Sequence, residues 1–93
     1  MLKVTVKFFA AAREVVGVRE EVLDIEQVST VLDVLRILVK KHGAKLNEYL
    51  FEPNSGNARQ YVRFLLNGRS ASASDGVSSG DSVLAIFPPT AGG

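Results

Sequence analysis

The chain has 93 residues, 46% of them hydrophobic and none of them cysteine, and 11 basic against 10 acidic residues give a formal net charge of +1. A chain of this length builds one domain around one modest core, which excludes a multidomain enzyme. The lack of cysteine excludes disulfides, thiolate metal sites and a cysteine nucleophile, and it is compatible with a reducing cytosol. The balanced charge argues against a basic nucleic-acid surface.

The N-terminal segment does not have the pattern of a targeting signal. Its apolar run, residues 8–12, is bracketed by Lys7 and Arg13 and is shorter than the roughly 7 to 15 residues of a secretory h-region. Nothing in the chain approaches the roughly 18 apolar residues that span a bilayer. We therefore expect a cytoplasmic protein that does not enter a membrane.

Two strands are predicted before the first helix. Residues 2–9 alternate between apolar and polar side chains, which is the period-two pattern of a half-buried strand. Phe9 breaks this pattern because it is apolar and falls on the polar face. After a loop that contains Gly17, residues 21–26 alternate again, and the two strands could pair as a hairpin with a long link. One side of the first strand carries Leu2, Val4, Val6 and Phe8.

The strongest helix signal begins at Thr30. Its hydroxyl can cap a helix N-terminus, and Asp33, three residues later, resembles the acidic partner of a capping box. Gly43 ends the helix, and His42 just before it suits the negative end of the helix dipole. One apolar stripe at helical spacing is expected to face the core: Val31, Val34, Leu35, Leu38 and Val39.

The region after this helix predicts a short helical turn, a loop and a hairpin. Residues 46–51 have the pattern of the helical turn, and residues 52–57 have the composition of a surface loop. Residues 61–66 predict a third strand, and the following Asn-Gly pair predicts a tight turn into a short return strand. Residues 70–79 are interpreted as a turn-rich connection. The inward set of the third strand is Val62, Phe64 and Leu66.

The last strand is predicted at residues 82–87. Leu84 and Ile86 suit the core, whereas Ala85 and Phe87 would face outward. The order ββαββ satisfies its apolar faces best as one mixed sheet curled over one main helix, so the predicted class is α+β. If the last strand lies beside the first and parallel to it, the fold is the β-grasp, or ubiquitin-like, fold. Periodicity does not show which strands are neighbours in the sheet.

The C-terminal residues have the composition of a narrow tail. Two prolines cannot continue a strand ladder, so we expect a domain over residues 1–87 and a flexible tail over residues 88–93. The two final glycines have no side chain, so the tail could thread a narrow channel and present its carboxylate to an enzyme. The tail residues are Pro88, Pro89, Thr90, Ala91, Gly92 and Gly93.

Both ends of the chain carry residues that suggest a family. The C-terminal ones run from Gly80-Asp81 to the ending Phe-Pro-Pro-Thr-Ala-Gly-Gly. The N-terminal ones are Val4, Phe8-Phe9-Ala10, Arg13-Glu14 and Gly17. In these residues the chain resembles the small subunit of molybdopterin synthase and the related small archaeal modifier proteins. The resemblance spans nearly the whole chain, but residues 44–60 do not carry it.

The resemblance implies a chain on which enzymes act, not an enzyme. A ubiquitin-activating-type adenylyltransferase would use ATP to convert the Gly93 carboxylate into an acyl adenylate. Sulfur would then give a thiocarboxylate that donates sulfur to a pterin precursor in the large subunit of molybdopterin synthase, during molybdenum cofactor biosynthesis. Alternatively, a lysine of a target protein would attack and form an isopeptide bond, and one protein could do both. No bound cofactor or metal is implied.

The resemblance also implies a docking surface for the activating enzyme and the synthase partner. The matching residues are Phe9, Arg13 and Phe87. The pattern break at Phe9 and the outward position of Phe87 agree with this interpretation, because exposed aromatic side chains are frequent at interfaces. The alternative is that Phe9 belongs to the core.

Other functions have weaker support in the sequence. A lone His42 without cysteine or a carboxylate cluster does not make a metal site or a catalytic triad. Asp75 and Asp81 adjoin turn glycines, which argues against paired catalytic acids. Arginines beside Tyr61 and Phe64 could suggest an RNA-binding sheet, but the ribonucleoprotein motif is missing. A thiazole-synthesis sulfur carrier and a plain interaction module remain as further hypotheses.

Overall fold

The computed structural model describes residues 2–25, 29–59, 62–77 and 81–87. These residues form seven strands and three helices. The strands are β1 (Leu2–Phe8), β2 (Glu20–Ile25), β3 (Ser29–Thr30), β4 (Arg63–Leu66), β5 (Arg69–Ala71), β6 (Gly76–Val77) and β7 (Asp81–Phe87). The helices are α1 (Ala10–Val16), α2 (Val31–His42) and α3 (Ala44–Leu50). None of these helices is long and apolar enough to cross a membrane.

Five strands form one mixed sheet in the order β2-β1-β7-β4-β5. The first strand pairs antiparallel with β2 and parallel with β7, so that Val6 lies opposite Leu84. The last strand then pairs antiparallel with β4, which continues through a hairpin into β5. The parallel pairing of β1 with β7 at the centre confirms the predicted β-grasp arrangement.

The inner face of the sheet packs on α2. The alternation in β1 and β7 buries Val4, Val6, Leu84 and Ile86 completely. Ala85, which was expected to face outward in the open, is only 9% exposed. It does lie on the outer face, but Lys7 and Leu65 flank it in the neighbouring strands, so they cover its single methyl group.

Helix α2 has the predicted ends and the predicted core face. The Thr30 hydroxyl accepts a hydrogen bond from the Asp33 backbone at 3.2 Å, and the Thr30 backbone donates to the Asp33 carboxylate at 3.0 Å, which completes the capping box. These hydrogen bonds lower the pKa of Asp33. The four fully buried residues of the helix are Val31, Val34, Leu35 and Leu38, and Val39 is half-buried. Complete burial of such a side chain contributes roughly 1.5–3 kcal/mol.

The link between β1 and β2, predicted as a loop, contains helix α1. Alanine is the best helix former, but Ala12 is the only buried residue of this short helix, so the sequence shows no apolar stripe. Gly17 ends the helix in the left-handed conformation with φ of 84°, and its backbone donates to Arg13. Ala10 at the helix start is also left-handed, with φ of 49°, which is unusual for a residue with a side chain.

Ala10→Gly should therefore stabilise the protein. A left-handed backbone penalises alanine but not glycine, and we expect the free energy of unfolding to rise by about 0.5–1 kcal/mol. The matched control is Ala11→Gly in the same helix, which should lower it by about 0.5–1 kcal/mol. Urea unfolding of the three proteins measures both effects, and destabilisation by both variants would contradict the left-handed assignment.

The second half of the chain contains more structure than the sequence predicted. The helical turn expected at residues 46–51 is the helix α3, which begins at Ala44, and Phe51 is its C-cap. The predicted tight turn is confirmed by φ of 52° at Asn67 and 84° at Gly68. The turn-rich connection includes β6, which pairs with β3 and buries Val77 completely. These short strands lack the length that makes a period visible.

An ion-pair cluster ties the edge strand β2 to the end of α2. Glu21 projects from the inner face of β2, its side chain is only 11% exposed, and its Oε1 lies 2.6 Å from His42 Nε2. Lys41 forms a second ion pair with the same carboxylate. The His42 ring also packs edge-on against Phe8, with ring centroids 6.2 Å apart. His42 thus does more than suit the helix dipole, the only role expected of it from the sequence.

This cluster should make stability depend on pH. Burial alone raises the pKa of Glu21, but hydrogen bonds from Lys41 and His42 outweigh it, so the pKa lies below its ordinary value of 4.5. Because the pKa of Glu21 is lower in the folded protein than in the unfolded chain, the ionised carboxylate stabilises the fold at pH values above 4.5. This stabilisation is lost as the pH falls below 4.5 and through the lowered pKa of the folded state. Glu21→Gln should make the unfolding free energy depend less steeply on pH in this acid range, and it should lower the unfolding free energy by about 1–2 kcal/mol at neutral pH.

Chemical denaturation at a series of pH values tests this expectation. Glu20→Gln is the matched control, because Glu20 precedes Glu21 in β2 and is exposed. If the unfolding free energy falls equally steeply with decreasing pH in the Glu21→Gln variant and in the unchanged protein, Glu21 is not the source of the pH dependence.

Candidate docking surface at the end of the last strand

The two phenylalanines predicted as docking residues lie against each other. Because β1 and β7 are parallel neighbours, their C-terminal ends lie side by side at the same end of the sheet. There the Phe9 backbone donates a hydrogen bond to the Ile86 carbonyl at 3.3 Å. The rings of Phe9 and Phe87 stack with centroids 4.5 Å apart and planes only 6° from parallel. Phe9 is 39% exposed and Phe87 is half-buried, so the pair forms an apolar surface.

Arg13 is held near this pair by helix α1. The helix starts immediately after Phe9, whose carbonyl accepts a hydrogen bond from Ala12 at 3.2 Å. Arg13, one residue later, is exposed. The structure therefore brings together all three residues that the resemblance picked out, although their function in docking stays a prediction.

A shallow depression of about 330 Å³ adjoins the aromatic pair. It is lined by Lys7, Phe8, Phe9, Arg13, Arg19 and Glu20. Three of these residues are basic and one is acidic, so the depression favours an acidic partner surface. We call these six residues together with Phe87 the docking patch.

Sequence reasoning missed Lys7 and Arg19 as parts of this patch. Both positions follow from the β1–β2 register, in which Lys7 lies opposite Glu20 and the Phe8 backbone donates to the Arg19 carbonyl at 2.8 Å. The signal was present, because pairing the two predicted strands through their apolar sides would have brought Arg19 to the end of β1. The undetected helix α1 obscured that register.

The predicted tail, Pro88 to Gly93, lies outside the described residues. The last residue that the structure describes is Phe87. Strand β7 ends at Phe87, inside the docking patch, so any partner bound at this patch lies beside the first residue of the tail.

The remaining candidates from the sequence have structural roles where they are described. His42 is paired with Glu21, and Asp75 accepts a hydrogen bond from the Ser72 backbone at 2.9 Å within a turn. Among the described residues there is no group of three or more side chains able to hold a metal ion.

Comparisons with known proteins agree with this geometry. Small archaeal modifier protein 3 of Haloferax volcanii is 33% identical over 96 residues, which cover 99% of this chain and 100% of the relative. The crystal structure of small archaeal modifier protein 1 from H. volcanii has a TM-score of 0.85 at 30% identity, with 97% of this chain and 100% of that chain covered. A putative molybdopterin converting factor, subunit 1, from Pyrococcus furiosus has a TM-score of 0.76 at 32% identity, and the match covers 97% of this chain and 100% of that chain.

A family model described as the ThiS family matches residues 6–93, which is nearly the whole sequence. The similar proteins are small ubiquitin-like modifiers and sulfur carriers and not catalysts, as the resemblance implied. The chain belongs to the ThiS family, within this group of ubiquitin-like sulfur carriers and modifiers.

Proposed function

We propose that the chain carries sulfur on its C-terminal carboxyl group for the synthesis of molybdopterin. The proposal rests on one observation: strand β7 ends at Phe87, which belongs to the docking patch and directly precedes the sequence Pro-Pro-Thr-Ala-Gly-Gly. The likeness to a molybdopterin converting factor subunit supports the same function. Docking at Phe9, Arg13 and Phe87 would then bring Gly93 to a partner's active site.

The chemistry requires activation of a poor acyl donor. An oxygen of the Gly93 carboxylate attacks the α-phosphorus of ATP in a ubiquitin-activating-type adenylyltransferase, and diphosphate leaves. A hydrosulfide ion supplied by a separate sulfur-delivery system then attacks the acyl carbon, AMP leaves with one former carboxyl oxygen, and the S–H proton is lost, so that sulfur replaces one carboxyl oxygen without a change of oxidation state. The thiocarboxylate passes its sulfur to a pterin precursor in the large subunit of molybdopterin synthase. ATP is a substrate of the activating enzyme, so this chain needs no cofactor of its own.

The tail residues fit an active site that lies at a distance from the docking patch. Six residues reach at most about 20 Å beyond Phe87, which limits how far the reacting carbon can lie from the patch. Glycine at positions 92 and 93 leaves the carboxylate without neighbouring side chains, so a narrow channel can admit it. We place this reaction in the cytoplasm.

A second function uses the same acyl adenylate. A lysine amine of a target protein attacks the acyl carbon of Gly93, AMP leaves, and an isopeptide bond forms. The similarity to proteins named small archaeal modifiers favours this alternative. The two functions differ in the nucleophile and not in anything required of this chain, so one protein can serve both.

Mass spectrometry of the protein isolated from its own cells tests both functions. A thiocarboxylate at Gly93 supports sulfur carriage, and Gly93 joined to lysines supports modification. A free carboxylate, persisting after ATP and the activating enzyme are supplied, would contradict both. Trypsin finds no lysine or arginine after Arg69, so a conjugated lysine would retain residues 70–93 and not a Gly-Gly remnant. The tail peptide must be analysed separately, because exchange of oxygen for sulfur adds about 16 Da, nominally the same as oxidation of Met1.

A further inference from the structure

A groove larger than the depression at the docking patch lies elsewhere among the described residues. It lies between α2, the loop at residues 55–59 and the edge strand β5, with a volume of about 660 Å³. Leu32, Val62 and Phe64 contribute its apolar surface. None of its lining residues belongs to the docking patch, and neither sulfur carriage nor conjugation at Gly93 gives the groove a function.

The groove concentrates positive charge on a chain whose overall charge is nearly balanced. Arg36, Arg59 and Arg63 line it, and no acidic side chain lies among its described lining residues. Arg59 is held at the rim, because its Nε donates to the Glu48 carbonyl at 2.7 Å. Arg36, in α2, and Arg63, at the start of β4, are exposed. Arginine pairs well with carboxylates, so the lining favours a ligand with acidic side chains.

One wall of the groove is the end of the main sheet. Strand β5 pairs with β4 on one side and is the last strand in the described order. Such an edge presents backbone groups that can pair with an added extended segment. The usable edge is short, because beyond Ala71 the Ser72 backbone donates to Asp75 at 2.9 Å and the Ala73 carbonyl accepts from Leu32 at 2.8 Å. These bonds turn the chain toward α2 and close one end of the groove.

We propose that this groove binds an extended acidic segment of a partner protein. The segment's backbone lies along β5, and its carboxylates lie near Arg36 and Arg63. The two guanidinium groups come from different elements, α2 and β4, and the groove exceeds the volume of a single inorganic anion, which favours a chain over one ion. The side chains of an extended segment alternate between the two faces of the sheet, so those on the α2 side would lie near Leu32 and Arg36, and those on the opposite side would lie near Arg63.

A peptide titration of the full-length, isotope-labelled protein tests the proposal. The probe is a synthetic six-residue peptide with the sequence Glu-Glu-Val-Glu-Glu-Val, which carries glutamate on both faces of an extended chain, and the readout is backbone amide NMR. We expect shifts concentrated at residues 69–74 and around Arg36, with affinity that falls as salt is added. The same peptide with glutamine in place of glutamate should bind at least tenfold more weakly. Equal binding of the two peptides, or shifts centred elsewhere, would overturn the proposal.

Two charge reversals on one helix provide a matched control. Arg36→Glu should weaken binding of the glutamate peptide at least tenfold, whereas Lys40→Glu, exposed four residues later and outside the groove, should change it less than twofold. An equal loss of peptide affinity in both variants would show that net charge alone causes the effect, and it would overturn the proposal. Inorganic phosphate that reproduces the same shifts with similar affinity would overturn it in favour of a simple anion site. Both variants should remain substrates for adenylation at Gly93, so failure here leaves the proposed function untouched.

Discussion

Deleting Gly92 and Gly93 should abolish every ATP-dependent reaction of the protein and leave its fold intact. The deletion removes the reacting carboxylate from the position that the activating enzyme accepts, while the core is built from residues up to Ile86. We therefore expect no adenylation, no thiocarboxylate and no conjugate, together with an unchanged melting temperature. Diphosphate release in the presence of ATP and the activating enzyme measures the first step, and thermal unfolding measures the fold.

Thr90→Ala is the matched control for this deletion. It changes the same tail but keeps the Gly-Gly end, so adenylation should continue. Acyl transfer that survives the loss of both glycines would eliminate Gly93 as the reactive residue. Loss of adenylation in both variants would instead show that the activating enzyme recognises the side chain of Thr90.

Replacing Phe9 by aspartate should weaken binding to the activating enzyme by roughly tenfold or more, while the protein still folds. Truncation of a central aromatic side chain at an interface commonly costs about 2 kcal/mol or more, and a new carboxylate adds desolvation. Phe9 is 39% exposed in the free protein and stacks on Phe87, so its replacement should cost less stability than the loss of a completely buried core residue. Titration calorimetry with the activating enzyme measures the loss.

Ile37→Asp offers a control of equal exposure. Ile37 is also 39% exposed, but it lies on α2 outside the docking patch, so its replacement should leave affinity unchanged within about twofold. Phe87→Asp should resemble Phe9→Asp, because the two rings form one surface. If Phe87→Asp unfolds the protein, Phe87 belongs to the core. Equal affinities for the Phe9 and Ile37 variants would place the docking surface elsewhere.

The regular elements were predictable because their patterns were long enough to repeat. The α2 stripe runs over two turns, and its capping box begins at Thr30 as expected. Val4, Val6 and Phe8 alternate over several residues of β1 and are all buried. The parallel pairing of β1 with β7 required the family resemblance, because alternation reports which face of a strand is buried and not which strand lies beside it.

The missed features are short or depend on neighbours. Helix α1 has only seven residues, and β6 has only two, so neither completes a recognisable period. Val77 is fully buried because β6 pairs with β3, a contact between distant parts of the sequence. Glu21 looked like an ordinary polar position, and only the approach of the α2 C-terminus gives it His42 and Lys41 as partners.

The candidate docking patch was half predictable for the same reason. Phe9 was visible as an apolar residue on a polar face, and Phe87 preceded two prolines. Their stacking is a tertiary consequence of the parallel β1–β7 pair. Lys7 and Arg19 needed the β1–β2 register, which the unpredicted helix between the strands concealed.

The central pairing of the first and last strands also constrains when the molecule can fold. During synthesis β1 leaves the ribosome well before its partner β7, and Val6 cannot meet Leu84 until β7 has been made. Contacts between such distant parts of a chain slow folding and delay its completion. A translation product that stops short of β7 lacks the strand that joins β1 to β4, so it cannot complete the sheet. Such a truncated product also lacks Gly93, so under the proposed function it could not be adenylated.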